Sequence, residues 1–318
     1  MFASILTSAI RFSTIFTLGS TGETLTEKSG NLNLGIPGIM CAGAIGGIIG
    51  ENVYIQSLSS ISQMTAFGAI VTPLIFSMIF SGFLGAFYCL LTVTLKCNQN
   101  VTGLAITTFG AGLLSLLGNR IDKTGFAQAS LYFTDGMDFA SKLGGFGQVV
   151  FSHGFMVYFA IIVAIIVAVI IKRTRTGLSL QAVGENPATA DAAGLSVTNY
   201  KYAATVIGSM IAGFGGVFYI FDYLGGSIEY TIEAYGWLAI AIVIFSVWKP
   251  NLGIFSSLIF GFLYILPYYT QVNFAQMELI KMVPYAVTIL VLIVTSIMNR
   301  KESQPPAALG LTYFREER

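Results

Sequence analysis

Charged residues are scarce in this sequence. They make up 10% of its 318 residues, whereas 55% are hydrophobic, and soluble domains usually carry about 25% charged residues. Between the clusters of charge run apolar stretches of roughly 17 to 30 residues, the length that a helix needs to cross a bilayer core about 30 Å thick. A soluble protein is excluded, and the formal net charge of +1 gives no reason to expect a nucleic-acid partner.

Residues suited to metal or covalent chemistry are also few. The three cysteines, Cys41, Cys89 and Cys97, are odd in number and lack CxxC spacing, so we interpret them as small packing residues. The only histidine, His153, lies at the end of an apolar stretch, where a lone histidine is more often an interface residue than a metal ligand. The sequence therefore predicts no metal, no cofactor, no catalytic residues and no enzyme activity.

Sequence signals for an energy source are missing as well. No glycine-rich run matches the phosphate-binding pattern G-x-x-x-x-G-K-[ST]. Ion-driven carriers usually hold ionisable side chains at mid-membrane, but the apolar stretches here are almost free of charge. Arg11 is the exception, and we interpret it as a side chain that extends to the membrane surface. Energy is thus expected from a partner protein.

Apolar length and charge breaks predict an all-α polytopic membrane protein with about nine spans, within a range of about eight to ten. A single domain covers residues 1–318. The predicted spans are 3–19, 35–50, 66–95, 101–118, 149–171, 202–221, 236–248, 253–270 and 282–298. The stretch 66–95 is either one long tilted helix or a re-entrant pair.

Lysine and arginine are distributed unevenly between the loops. One side receives Lys28, Lys96, Lys172, Arg173, Arg175, Lys201, Lys249, Arg300, Lys301, Arg315 and Arg318. The other side receives Arg120, Lys123, Lys142 and Lys281. Because basic residues resist translocation, the richer side is predicted to be cytoplasmic, and it includes the C-terminal segment 299–318.

The loop at residues 172–201 carries the clearest local pattern. Asn186 is a good N-cap, Pro187 fits the first helical position, and Gly194 is placed to end a helix in a left-handed conformation. These residues predict a helix from Pro187 to Ala193 of about two turns, which is marginal alone. The helix is either a docking element for another protein or a capped turn between two spans, and the pattern alone leaves both open.

The same loop resembles a known family. Its sequence RTRTGLSLQAVGENPATADAAGLSV, at residues 173–197, closely resembles the cytoplasmic loop of ABC importer permeases of the branched-chain amino acid, simple sugar and nucleoside group. In that family the short helix after GENP is the coupling helix, which binds the ATP-binding subunit. The resemblance implies a type II ABC importer-like permease fold and a partner that hydrolyses ATP. It also implies a coupling site at Gly184, Glu185, Asn186, Pro187, Asp191, Ala193 and Gly194.

Other segments resemble the family in the expected order. EKSGNLNLGIPGIM at 27–40 is similar to the start of its second helix, although Pro37 stands where the family commonly has glutamate. KCNQNVTGLAI at 96–106 and YGWLAIAIVIFSVWKPN at 235–251 also match. ALGLTYFREER at 308–318 is similar to the tail of the shorter of two permeases in nucleoside uptake systems. The resemblance implies nucleoside import by a heterodimer in a bacterial cell membrane. Ribose-like sugars are the alternative, and a secondary carrier without an ATPase is a weaker one.

A translocation pathway is predicted between this chain and the second permease. Its lining candidates are Asn31, Asn33, Gly35, Asn98, Thr102 and Thr107, and each polar side chain could instead hydrogen-bond between helices. Glycines cluster at 35–50 and 208–236, which predicts close helix packing. The alternative is that the short spans 35–50 and 236–248 are broken helices along the pathway. On the outer side, an extracytoplasmic solute-binding protein is the expected partner. The acids Asp222, Glu229 and Glu233 either contact it or are merely solvated.

Overall fold

The computed structural model describes residues 2–137, 140–269, 273–298 and 304–314, and all regular structure in these ranges is helical. The helices are α1 (Phe2–Glu27), α2 (Ile36–Ser57), α3 (Ala66–Cys89), α4 (Gln99–Gly118), α5 (Phe126–Thr134), α6 (Gly144–Phe151), α7 (Phe155–Arg173), α8 (Arg175–Glu185), α9 (Pro187–Ala192), α10 (Val197–Val217), α11 (Ile232–Phe245), α12 (Pro250–Tyr269), α13 (Phe274–Lys281) and α14 (Val283–Met298). Two π-helical turns, Leu90–Thr94 and Phe218–Tyr223, continue α3 and α10. The all-α fold class is confirmed.

Six helices of the described residues are long and apolar enough to cross a membrane: α2, α3 with its π-helical turn, α4, α7, α10 with its π-helical turn, and α12. α11 is apolar but has only 14 residues. Large apolar side chains such as Phe67, Phe83 and Ile162 point outward and are 77%, 68% and 54% exposed. In a bilayer this surface would face lipid. The predicted number of nine spans is not confirmed.

Several predicted boundaries are corrected. Residues 66–94 form one continuous helical segment rather than a re-entrant pair. The predicted span 149–171 instead comprises the end of α6 and most of α7, with a break between them. α1 continues past residue 19 to Glu27, because the polar residues in its second half are buried by other helices rather than exposed to solvent.

Close packing of glycines holds the centre of the molecule together. α2 and α10 cross where a Cβ atom on Gly43 would lie 2.3 Å from the Cα atom of Gly213. α1 and α10 approach as closely, since a Cβ atom on Gly22 would lie 2.2 Å from the Gly208 carbonyl oxygen. These contacts confirm the predicted packing role of the two glycine clusters. The alternative of a broken helix is wrong for α2, which continues without interruption past residue 50.

The described basic residues of the predicted cytoplasmic set gather at one end of the bundle. Lys28 interacts electrostatically with Lys249 and with Glu185, and Lys96 interacts with Lys201. We call this end, which also carries α8, α9 and residues 304–314, the tail end of the bundle. The remaining members Arg300, Lys301, Arg315 and Arg318 lie outside the described residues.

Of the three cysteines and His153, all but Cys97 are buried. Cys41 and Cys89 are buried, as predicted, whereas Cys97 is exposed in the link between α3 and α4 and is not a packing residue. His153 is only 3% exposed, and its Nε2 atom bonds the Val149 carbonyl at 2.9 Å. The described residues hold no group of three side chains that could bind a metal ion.

Candidate functional site

The short helix α9 forms where the loop pattern predicts it. The Asn186 Oδ1 atom accepts the Thr189 backbone N–H at 3.0 Å, which caps the helix, and Pro187 occupies its first turn. Gly194 has a φ of +85°, and its N–H donates to the Asp191 carbonyl at 2.9 Å. The helix is confirmed, although it ends at Ala192 and Ala193 is its C-cap.

One side of α9 is anchored and the other is open. Ala190 is buried in a small apolar cluster with Val183 and Val197. The opposite side presents Ala192 and Ala193, which are exposed. An exposed surface of such small side chains allows another protein to approach the helix closely.

The helix before α9 joins it to the bundle. α8 begins at the N-cap Thr174, whose Oγ1 atom accepts the Gly177 N–H at 3.0 Å. At its other end, Gly184 packs on the backbone after α1, since a Cβ atom there would lie 2.3 Å from the Lys28 carbonyl oxygen. Burial lowers the pKa of Lys28, and the nearby Glu185 carboxylate partly opposes that shift. α8 itself was not predicted from the sequence.

Three of the pathway candidates lie in the link between α1 and α2. Asn31 is fully buried, and its Nδ2 atom donates to Thr205 Oγ1 at 3.1 Å. Asn33 is also buried, and its Oδ1 atom accepts the Gly35 N–H at 3.0 Å at the start of α2. Within the described residues, Asn31 Oδ1 and Asn33 Nδ2 have no hydrogen-bond partner. Each amide therefore keeps one unused polar atom.

The other three candidates lie on or beside α4. Asn98 is exposed and caps α4 by accepting the Val101 N–H at 3.1 Å. Thr107 is 3% exposed and donates to the Leu34 carbonyl at 2.8 Å, so it joins α4 to the α1–α2 link. Thr102 is 7% exposed. The structure thus brings Thr107 against the link that holds Asn31, Asn33 and Gly35, whereas Asn98 is exposed at the start of α4. Asn31, Asn33 and Thr107 are enclosed by this chain rather than open to solvent.

Three buried acids on α1 and α2 were not predicted from the sequence. Glu23 is fully buried, and its Oε1 atom accepts the Asn33 backbone N–H at 3.1 Å. Glu27 accepts the indole N–H of Trp248 through its Oε2 atom. Glu51, on α2, is fully buried, and neither carboxylate oxygen has a partner among the described residues. Glu51 lies within one of the six helices that could cross a membrane, so the inference that Arg11 is the one charged exception inside the spans is wrong. Placing the end of α1 at residue 19 concealed the first two acids.

The predicted roles of Arg11 and Asp222 are also corrected. Arg11 Nε lies 2.8 Å from Asp222 Oδ1, and this is the one salt bridge among the described residues. Arg11 therefore forms an ion pair instead of extending freely to the membrane surface. Asp222 is fully buried, which removes it from any outer docking surface. Glu229 is exposed, and its Oε2 atom accepts the Tyr219 hydroxyl at 3.1 Å.

Comparison with known proteins shows a full-length family relationship. The family model described as branched-chain amino acid transport system / permease component matches residues 5–292. The putative glucose ABC transporter permease protein TsgC13 of Haloferax volcanii is 28% identical over 264 residues, covering 82% of this chain and 76% of the relative. The nucleoside ABC transporter permease protein NupC of Lactococcus lactis subsp. cremoris is 27% identical over 327 residues, covering 98% and 97%. The guanosine ABC transporter permease protein NupQ of Bacillus subtilis is 26% identical over 316 residues, covering 95% and 93%. No solved structure gives a significant match.

These relatives are transport proteins rather than enzymes, and their similarity extends over the membrane helices and the α8–α9 loop. The apolar helices make the chain a multi-pass membrane protein. The chain therefore belongs to the branched-chain amino acid transport system / permease component family, as an ABC transporter permease of the nucleoside or sugar type.

Proposed function

We propose that this permease imports nucleosides across a bacterial cell membrane, driven by ATP hydrolysis on a separate subunit. The observation that carries the proposal is the alignment with NupC, which covers both chains almost from end to end. The shared length fits the shorter permease of a heterodimer, and the resemblance of residues 308–318 to that permease supports the same assignment. An extracytoplasmic protein delivers the solute in this scheme.

α9 is the proposed coupling helix. Its caps fix a short helix whose free side carries small residues, and its sequence resembles the family's coupling loop. Glu185, Asn186 and Asp191 surround this surface and would contact the ATP-binding subunit. Docking there makes the tail end of the bundle cytoplasmic, in agreement with the excess of basic residues. The C-terminal segment would lie on the same side.

The translocation pathway is proposed to run along the α1–α2 link and the adjoining end of α4, against a second permease. The unused polar atoms of Asn31 and Asn33 support this assignment, because buried polar groups without partners are costly unless another state of the protein uses them. Both side chains are enclosed by this chain. The alternating movement of the two permeases must therefore expose them for the solute to pass.

A simple sugar is the alternative substrate, and the 28% identity with the glucose permease TsgC13 favours it. The secondary carrier has less support. The buried acids weaken the earlier reasoning that too few charged residues lie in the membrane for an ion-driven carrier. Membership of an ABC permease family nevertheless supports a transport cycle driven by ATP.

The test of substrate is uptake of radiolabelled uridine or inosine by cells with and without the gene. Unlabelled nucleosides, ribose and a branched-chain amino acid serve as competitors. We expect uptake to be lost on deletion and to be competed by nucleosides alone. Competition by ribose would assign the permease to sugars, and unchanged nucleoside uptake after deletion would refute the nucleoside assignment.

The test of coupling is Asn186→Ala, which removes the cap of α9. Loss of an N-cap costs about 1 kcal/mol, which corresponds to about a fivefold shift in the population of the formed helix. We expect less copurified ATP-binding subunit and slower uptake, with unchanged membrane insertion. Asn199→Ala, which removes an exposed amide in the first turn of α10, is the matched control. Equal copurification by the two variants would count against docking at α9.

A further inference from the structure

The C-terminal segment 304–314, called the tail here, lies directly on the proposed coupling helix. The Ala308 N–H donates to the Gly184 carbonyl at 3.0 Å, and the Ala307 N–H donates to Glu185 Oε2 at 3.3 Å. Farther along, the Tyr313 hydroxyl donates to Asp191 Oδ2 at 2.8 Å. The Tyr313 ring also packs on the cluster that buries Ala190. The tail therefore contacts α9 near both of its ends.

The same tail contacts the α1–α2 link. The Gly310 N–H donates to the Gly30 carbonyl at 3.3 Å. Leu32 lies beside this glycine, since a Cβ atom added to Gly310 would lie 3.6 Å from Leu32 Cδ2. This link contains Asn31 and Asn33, the proposed pathway residues.

A third set of contacts joins the tail to the start of α4. Gln99 Nε2 donates to the Leu311 carbonyl at 3.4 Å, while Gln99 Oε1 accepts the Leu32 N–H at 2.7 Å. One buried amide thus bridges the tail and the α1–α2 link. Beside it, Lys96 Nζ donates to the Tyr313 carbonyl at 2.7 Å and lies 5.8 Å from the centre of the Phe314 ring.

Lys96 makes this contact from an unfavourable backbone conformation. Its φ of +59° lies in the left-handed region that side chains other than glycine rarely adopt. Such a conformation persists only where the surroundings hold it in place. The π-helical turn Leu90–Thr94 ends two residues before Lys96, and π-helical turns are frequent at functional sites.

We propose that the tail is a positioning element that makes α9 move together with the α1–α2 link and the start of α4. The inference rests on the proposed docking of α9 to an ATP-binding subunit. α9 is too short to be stable alone, so its contacts with neighbouring segments hold it in place. A force on α9 passes through Tyr313 to the tail backbone, and from there through Gln99 and Lys96 to the pathway residues. Tyr313, Gln99 and Lys96 are positioning residues, since none is required to touch the solute.

The decisive variant is Tyr313→Phe, which removes the hydroxyl and keeps the ring in its cluster. The assembled transporter is placed in proteoliposomes, and three quantities are measured: copurified ATP-binding subunit, ATP hydrolysis and uridine taken up per ATP hydrolysed. We expect the first two to match the wild type and the third to fall about tenfold or more, because a hydrogen bond to a charged acceptor is lost. Tyr285→Phe, which removes a hydroxyl from an exposed tyrosine on α14, is the control.

A double-mutant cycle separates this role from a general loss of stability. In transporters matched for the amount of bound ATP-binding subunit, Tyr313→Phe introduced into Asp191→Ala should lower the ratio of uptake to ATP hydrolysis no further, because the two side chains share one bond. Gln99→Leu removes both bonds of the bridging amide and should reproduce the lower ratio of uptake to ATP hydrolysis.

The possible results separate a failure of the tail inference from a failure of the proposed function. An unchanged ratio in Tyr313→Phe would overturn the inference. Loss of the ATP-binding subunit from this variant would also overturn it, since the tail would then be part of the docking surface. Failure of the wild-type chain to bind any ATP-binding subunit would instead refute the proposed function.

Discussion

Gly43→Ala is expected to destabilise the protein although it adds a single methyl group. The new Cβ atom would lie 2.3 Å from Gly213 Cα, 2.4 Å from its carbonyl oxygen and 2.6 Å from its carbonyl carbon. Non-bonded carbon atoms need about 3.5 Å, so α2 and α10 must separate locally by about 1.2 Å. A gap of about 0.5–1 Å already forfeits a quarter to a half of the dispersion energy, so this separation forfeits about half or more along the contact. Overpacking of this kind costs about 1–3 kcal/mol.

The matched control is Gly112→Ala on α4, where a Cβ atom meets nothing within 4 Å. Both substitutions gain helix propensity, roughly 1 kcal/mol in a soluble helix, so their difference isolates the packing cost. The assay is thermal unfolding of the detergent-purified protein, followed by loss of the monodisperse peak in size-exclusion chromatography. We expect Gly43→Ala to melt several degrees below the wild type and Gly112→Ala to melt at or above it. Equal melting temperatures for the two variants would refute the packing argument.

Two further predictions concern buried polar contacts. Arg11→Met leaves the Asp222 carboxylate buried without its cation and should lower the free energy of unfolding by about 3 kcal/mol. This value is at the low end of the usual range for a broken buried ion pair because Arg11 is partly exposed. The double variant Arg11→Met/Asp222→Leu should recover most of that loss in the same melting assay. Trp248→Phe removes the indole N–H bonded to Glu27 and should cost about 1–3 kcal/mol. Trp237→Phe is the control, and equal melting of the two tryptophan variants would contradict the role of this bond.

The features predicted correctly from the sequence depend on neighbouring residues. Asn186, Pro187 and Gly194 each act within one or two turns of the chain, so α9 could be placed to within one residue. The glycine clusters could be interpreted as packing sites because two helices approach closely only where small residues lie at their contact. The all-α architecture followed from the scarcity of charge and the length of the apolar stretches.

The features that were missed depend on contacts between distant segments. The partner of Arg11 is Asp222, 211 positions away in the chain, and no local pattern indicates that pairing. Glu23 and Glu27 follow a run of small polar residues that looks like the end of a span. Only the tertiary fold shows that the Asn33 N–H donates to Glu23 and the Trp248 indole N–H to Glu27. The tail contacts were hidden for the same reason.

The two π-helical turns have a consequence for how the helices can move. In the first turn the Leu95 N–H donates to the Leu90 carbonyl, and in the second the Leu224 N–H donates to the Tyr219 carbonyl. Each bond spans five residues instead of four, so each turn holds one residue more than an α-helical turn. When such a turn reverts to α-helical geometry, the extra residue moves into the neighbouring segment, and the helix beyond it rotates without losing its main-chain bonds. α3 and α10 can thus change which side chains one end presents while the glycine-packed middle stays fixed. Because Asp222 lies in the second turn, that rotation would reposition its bond to Arg11.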